Sequence, residues 1–142
     1  MLKQPLALLF AAALSYGYPN GSRIPTGNAG EPGTGTPCAS CHQVTLNPAG
    51  GSVTLSGPTG SYTPSVPQRW TLTVADPNAA YRKGFQLTAT AGSFTAVTST
   101  LVMTGSANKQ YVTHSAAATS FVFDWTPPSG GASVTVYLAG AA

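Results

Sequence analysis

From Ser52 onward, hydrophobic and polar residues alternate with a period of two; before Ser52 they do not. Val53 and Leu55 share one face of a short strand that Gly57-Pro58-Thr59-Gly60 ends. Trp70, Leu72 and Val74 alternate with Arg69, Thr71 and Thr73 until Asp76-Pro77-Asn78 breaks the run. Phe85, Leu87 and Ala89 form the next inward row, closed at Gly92. Phe94 to Met103 reads as one or two strands, with Met103 a core residue beside Leu101, and Tyr111 to His114 is short. Phe121, Phe123 and Trp125 make the clearest row, with Val122 and Asp124 facing the other way. Pro127-Pro128-Ser129-Gly130-Gly131 then turns the chain, and Val134, Val136 and Leu138 close the pattern.

No stretch of this region carries a 3.6-residue period. Roughly seven or eight strands with regularly spaced turns predict an all-β domain over 52–142, an immunoglobulin-like antiparallel β-sandwich. Its expected core is Trp70, Leu72, Val74, Phe85, Leu87, Phe121, Phe123, Trp125, Val134 and Val136. An irregular arm rich in Gly, Pro, Asn and Thr covers 18–51. Residues 1–17 read as a signal peptide: Lys3, an apolar run from Leu6 to Leu14, then small residues at Ser15 and Gly17 before a cleavage at Tyr18. That run is too short to span a bilayer, and no later stretch is apolar enough. The expectation is an exported protein that does not span the membrane, placed in the periplasm, at the cell surface or outside the cell.

Charge narrows the partners. Only 6% of residues are charged, and six cations stand against three anions. Arg82 and Lys83 are adjacent, while Arg23, Arg69 and Lys109 are scattered, so no basic stripe exists to follow a phosphate backbone. Nucleic-acid binding is excluded as an expectation.

The arm carries the candidate chemistry. Cys38-Ala39-Ser40-Cys41-His42 has the C-x-x-C-H spacing of covalent haem attachment, and these are the only two cysteines. Cys38 and Cys41 would form thioethers to the two vinyl groups of one haem c, and His42 would take the proximal axial position on the iron. Three other readings stay open: a short Cys38–Cys41 disulfide or free thiol pair, a thioredoxin-like redox pair, and a metal site. The redox pair normally lies between a strand and a helix, whereas Gly33-Thr34-Gly35-Thr36-Pro37 and Asn47-Pro48-Ala49-Gly50-Gly51 read as loop. A zinc site needs about four ligands, for which only Cys38, Cys41, His42 and the distant His114 are available. For the sixth haem ligand, His114 is the preferred candidate, in a short segment near an edge or end of the sandwich, ahead of Met103; an open or water-bound site is the alternative. Covalent haem, like a lasting disulfide, fits an exported protein.

Two function classes follow: an electron-transfer module with one haem c and a redox partner protein, or a non-catalytic surface or adhesion module with a Cys38–Cys41 disulfide. Hydrolysis is disfavoured. Adjacent His114 and Ser115 on a strand point to opposite faces, which defeats a triad with Asp124. Glu31 sits in a loop, Asp76 starts a turn and Asp124 faces solvent, so no paired carboxylates emerge. Tyr62 or Tyr81 could line a binding surface, with turn or core packing the plainer role.

The order Gly84-Phe85-Gln86-Leu87-Thr88-Ala89, Tyr111-Val112-Thr113-His114-Ser115 and Phe121-Val122-Phe123-Asp124-Trp125-Thr126-Pro127-Pro128 resembles Reeler (reelin N-terminal-like) domains. From about Gly27 on, the chain is similar to secreted bacterial proteins of the choice-of-anchor or Reeler type, which place a Gly-Ala-Pro-Gly-like segment and a C-x-x-C-H before such a domain. The matching segment here is Gly30-Glu31-Pro32-Gly33. The resemblance implies a β-sandwich and an extracytoplasmic location, and little about activity. Two departures stand out: no cysteines follow Cys41, where animal Reeler domains carry disulfides, and the chain stops at Ala139-Gly140-Ala141-Ala142, as a short version or a truncated product would.

Overall fold

The computed structural model describes residues 25–34, 50–58, 60–77 and 83–141. Eight strands run in chain order: β1 Ser52–Ser56, β2 Gln68–Ala75, β3 Gly84–Ala89, β4 Ser93–Thr98, β5 Thr100–Thr104, β6 Gln110–His114, β7 Ser120–Thr126 and β8 Val136–Ala141. They form two four-stranded sheets of order β1-β2-β7-β4 and β5-β6-β3-β8, with every paired neighbour antiparallel. The fold is an all-β sandwich, as the alternation predicts.

The alternating residues dictate what fills the space between the sheets. β2 contributes Trp70, Leu72 and Val74, β7 contributes Phe121, Phe123 and Trp125, and β3 contributes Phe85, Leu87 and Ala89, all buried. Phe123 lies at the centre, with ring centroids 6.2 Å from Trp70, 6.3 Å from Phe85 and 5.9 Å from Phe94. Val134 and Val136, expected in the core, are only partly buried, and Val134 lies outside β8. Phe94 and Val112 join the core instead.

The segment from Phe94 to Met103 is two strands in different sheets. The chain bends at Ser99, which has φ 54. β4 has a register shift between Ala96 and Thr98 just before this corner. Ser115 N–H donates to Ser99 O at 2.8 Å, Val97 N–H donates to Thr100 Oγ1 at 3.1 Å, and the Thr100 hydroxyl donates to Val122 O at 2.9 Å. These bonds hold the strand where it changes layer. Crossing layers sets which side chains of β5 face the core. Val102 is level with buried Val112, whereas Leu101 and Met103 are level with Thr113 and Tyr111 on the outer face of the second sheet. The expectation that Met103 is a core residue is therefore corrected.

The most polar row of that outer face is also buried. All six residues of β3 are inaccessible, including Gln86 and Thr88, which alternate with the core row. Pro25–Thr34, part of the segment expected to form an irregular arm, lies across this face and covers it. Residues of the arm thus belong to the folded unit.

Candidate functional site

The strap Pro25–Thr34 has little apolar surface to bury; Ala29 is its one buried hydrophobic side chain. Hydrogen bonds attach it. Asn28 N–H donates to Gln86 Oε1 at 2.6 Å, and the same amide returns a bond from Nε2 to Pro25 O at 3.1 Å. Gln86 therefore bridges two points of the strap from the middle of β3.

The other anchor is Glu31. Its carboxylate is 3% exposed and accepts from the Tyr111 hydroxyl at 2.5 Å, with Lys109 Nζ at 3.5 Å from the same oxygen. Lys109 Nζ also lies 5.6 Å from the centroid of the Tyr111 ring. Glu31 Oε2 is buried and has no hydrogen-bond partner among the described residues. Burial alone would push the carboxyl up. The Tyr111 hydrogen bond, the Glu31 backbone N–H and the Lys109 charge together outweigh it, so Glu31 titrates below its ordinary 4.5. Burial and the same hydrogen bond push Tyr111 up to about 12.

Local sequence explains why the chain turns here. Glu31-Pro32-Gly33-Thr34 is a tight turn in which Thr34 N–H donates to Glu31 O at 3.3 Å. Proline occupies the second position, and Gly33 takes the third with φ 83, the arrangement of a type II turn. The Thr34 hydroxyl reinforces it with a 2.6 Å bond to the same carbonyl. Beneath the strap, an ideal Cβ at Gly105 would lie 2.8 Å from Tyr111 Cε2 and 2.9 Å from Thr26 Oγ1, so a glycine there admits both.

His114 ends β6, an interior strand of the second sheet, and is buried at 5% exposure against Phe121, ring centroids 6.4 Å apart. Its Nδ1 accepts the Phe85 N–H at 3.2 Å, while the Thr113 hydroxyl donates to Phe85 O at 2.7 Å. A neutral ring whose Nδ1 accepts carries its proton on Nε2, whereas an imidazole that ligates through Nε2 normally donates from Nδ1. In this geometry His114 is a hydrogen-bonded core histidine. Iron ligation would require the ring to leave the Phe85 amide.

The remaining candidates are dispersed. Asp124 lies on the outer face of the first sheet, where Arg69 Nε and Nη2 donate to its two oxygens at 2.9 and 3.1 Å. That hydrogen-bonded guanidinium holds its carboxyl below the ordinary range. Glu31 sits on the opposite side of the sandwich, so the two are not brought together as acid and base. His114 and Asp124 belong to different sheets and form no triad. Among the described residues no three His, Cys, Asp or Glu side chains cluster as metal ligands. Tyr62 packs edge-on against Trp125 at 5.4 Å and donates to Ala132 O at one end of the core. A cavity of about 180 Å³ there is bordered by Tyr62, Gln68, Trp70, Trp125, Val134 and Val136.

Cys38, Cys41, His42, Tyr81 and the signal segment 1–17 lie outside the described residues. Thr34 is the last described residue before the motif and stands four positions ahead of Cys38. Among the described residues no helix is long and apolar enough to cross a membrane.

No family model matches the chain, and no curated protein matches it. Solved structures do. The chain is similar to the human F-spondin reeler domain (fragment 2) at 25% identity, over 65% of this chain and 78% of that one, with a TM-score of 0.49. The human F-spondin reeler domain (fragment 1) gives 24% identity, 61% and 72% coverage and a TM-score of 0.47. The Reelin-N domain of F-spondin gives 25%, 61%, 71% and 0.47. The fold class itself rests on the strands and registers above.

Proposed function

We propose that this chain is an exported, non-catalytic β-sandwich module that carries one covalent haem c on its arm and passes electrons to a redox partner protein. The observation that carries this reading is the C-x-x-C-H spacing of the only two cysteines with His42. Cys38 and Cys41 would hold the haem through thioethers, and His42 would be the proximal ligand. The group, when bound, supplies a one-electron couple whose potential depends on axial ligation and burial. The strap supports the reading from the protein side, because an anchored segment leads into the motif and limits how far a group on Cys38 can stray from the sandwich. His114 is the candidate sixth ligand only if its ring leaves Phe85, so an open or water-bound position fits the described residues better.

A second reading has its own support. Side chains fill the space between the sheets without any cofactor, so the sandwich is complete as a surface or adhesion module with a Cys38–Cys41 disulfide. One preparation separates the two. The full chain is produced in an exporting host that matures c-type cytochromes, and the visible spectrum is recorded after reduction. A sharp α-band that survives denaturation and acid-acetone extraction is expected. A colourless protein whose mass shows a fully formed Cys38–Cys41 disulfide overturns the haem reading in favour of the second.

A further inference from the structure

We propose that Glu31 and Tyr111 form a releasable clasp: the strap Pro25–Thr34 leaves the outer face of the second sheet as a unit when the Glu31 carboxylate is protonated, while the sandwich stays folded. This inference rests on the strap alone and holds whether or not a haem is attached.

Three observations carry it. First, the strap and the sandwich are held by different forces. The sandwich buries rings from both sheets, whereas the strap buries Ala29 and otherwise depends on Asn28, Gln86, Pro25 O, Glu31, Tyr111 and Lys109. A segment with few buried apolar contacts opens at lower free energy than the core beneath it. Second, the β3 and β6 part of the uncovered face would be polar, with Gln86, Thr88, Tyr111 and Thr113 on it, beside Leu101 and Met103 of β5. Thr88 and Thr113 already donate to Gln110 O and Phe85 O within the sheet, so release strands neither hydroxyl. Third, Glu31 is buried as a carboxylate with Oε2 unpartnered among the described residues. Its position is favourable only while the charge strengthens the bonds from Tyr111 and Lys109. Protonation removes that charge and the ion pair.

Among the described residues, the titratable and charged groups facing Glu31 are Tyr111 on β6 and Lys109 just before it. Glu31 titrates below 4.5 when docked, so release belongs to acid conditions. Tyr111 stays a protonated donor through neutrality because it is pushed up to about 12.

Amide hydrogen exchange on the full chain tests this, using protection factors, which correct for the pH dependence of intrinsic exchange. The probe is the Asn28 amide, with a nuclear Overhauser contact between Thr26 and Gly105 as a second reporter. Acidification of the wild type to about pH 3, or Glu31→Gln or Tyr111→Phe at neutral pH, should lower Asn28 protection roughly tenfold to a hundredfold, the factor carried by a hydrogen bond to a charged group. The Thr26–Gly105 contact should weaken in parallel, core amides of Leu72, Leu87 and Phe121 should keep their protection, and Glu31→Gln should lose the acid response. Unchanged Asn28 protection in Glu31→Gln overturns the clasp. Loss of core protection together with Asn28 also overturns it, because the strap would then not be a separate unit.

Discussion

His114 occupies the space that a side chain on Gly84 would take. An ideal Cβ at position 84 would lie 2.6 Å from Nδ1 and 2.9 Å from Nε2, and the same Nδ1 accepts the Phe85 N–H. Gly84 therefore serves by its lack of a side chain. Gly84→Ala should destabilise the protein by about 1–3 kcal/mol, the range for overpacking. Adding His114→Ala should recover part of that loss, because the clashing ring is gone. Urea unfolding of the two single variants and the double variant checks this; simple additivity would contradict the contact.

The imidazole's hydrogen bond gives a second expectation. His114→Ala leaves the buried Phe85 N–H without its acceptor, which costs about 1–3 kcal/mol. In protein purified with haem attached, the same substitution should leave spin state and visible bands unchanged. A shift from low to high spin would show that the ring does reach the iron.

Position within the ring cluster sets the cost of core truncation. Phe123 is fully buried and touches Trp70, Phe85 and Phe94, so Phe123→Ala should cost about 3–5 kcal/mol. Val53, 37% exposed on an edge strand, should lose far less on Val53→Ser, within about 1 kcal/mol. Chemical denaturation of both variants measures the contrast.

Two titrations bound the pH range over which Tyr111 contributes. Tyr111 is raised from 10.0 to about 12, so its contribution is complete below its ordinary value and is lost as pH climbs through the raised one. Glu31 is lowered, so its contribution is present above 4.5 and is lost as pH falls through the docked value. The stability gap between wild type and Tyr111→Phe should therefore be flat around neutrality, on the order of 2 kcal/mol, and shrink in both acid and strong alkali. Urea midpoints across a pH series measure it. A gap that widens in acid would have the wrong sign.

Much of the sandwich can be read from residue order, because burying one face of a strand forces period two. Trp70-Leu72-Val74, Phe85-Leu87-Ala89 and Phe121-Phe123-Trp125 all sit where alternation puts them. The failures share a cause. Gln86 and Thr88 look like an ordinary solvent-facing row, yet both are buried, and a strap from 58 residues earlier lies on Gln86. Glu31 looks like a loop acid, because a carboxylate-to-phenol bond across 80 residues leaves no periodic trace. The one local hint is the Pro32-Gly33 turn directly after it. Met103 lies on the outer face because Ser99, a non-glycine residue at φ 54, turns the strand into the other sheet. For His114 the residue type suggested a ligand, while the described residues give it burial and a bond from the Phe85 amide; Gly84, adjacent in space, is the sequence signal for the close packing.

The corner at Ser99 has a mechanical consequence. Both cysteines precede β1, so neither sheet contains a cysteine to tie it to the other. From Ser93 to Thr104 the chain is a seam between the layers: tension applied to the first sheet through β4 passes within two residues to β5 in the second. Pulling the layers apart must first break the bonds that Ser99 and Thr100 make to Ser115 and Val122. On that flank the layers should yield together, joined by ordinary backbone.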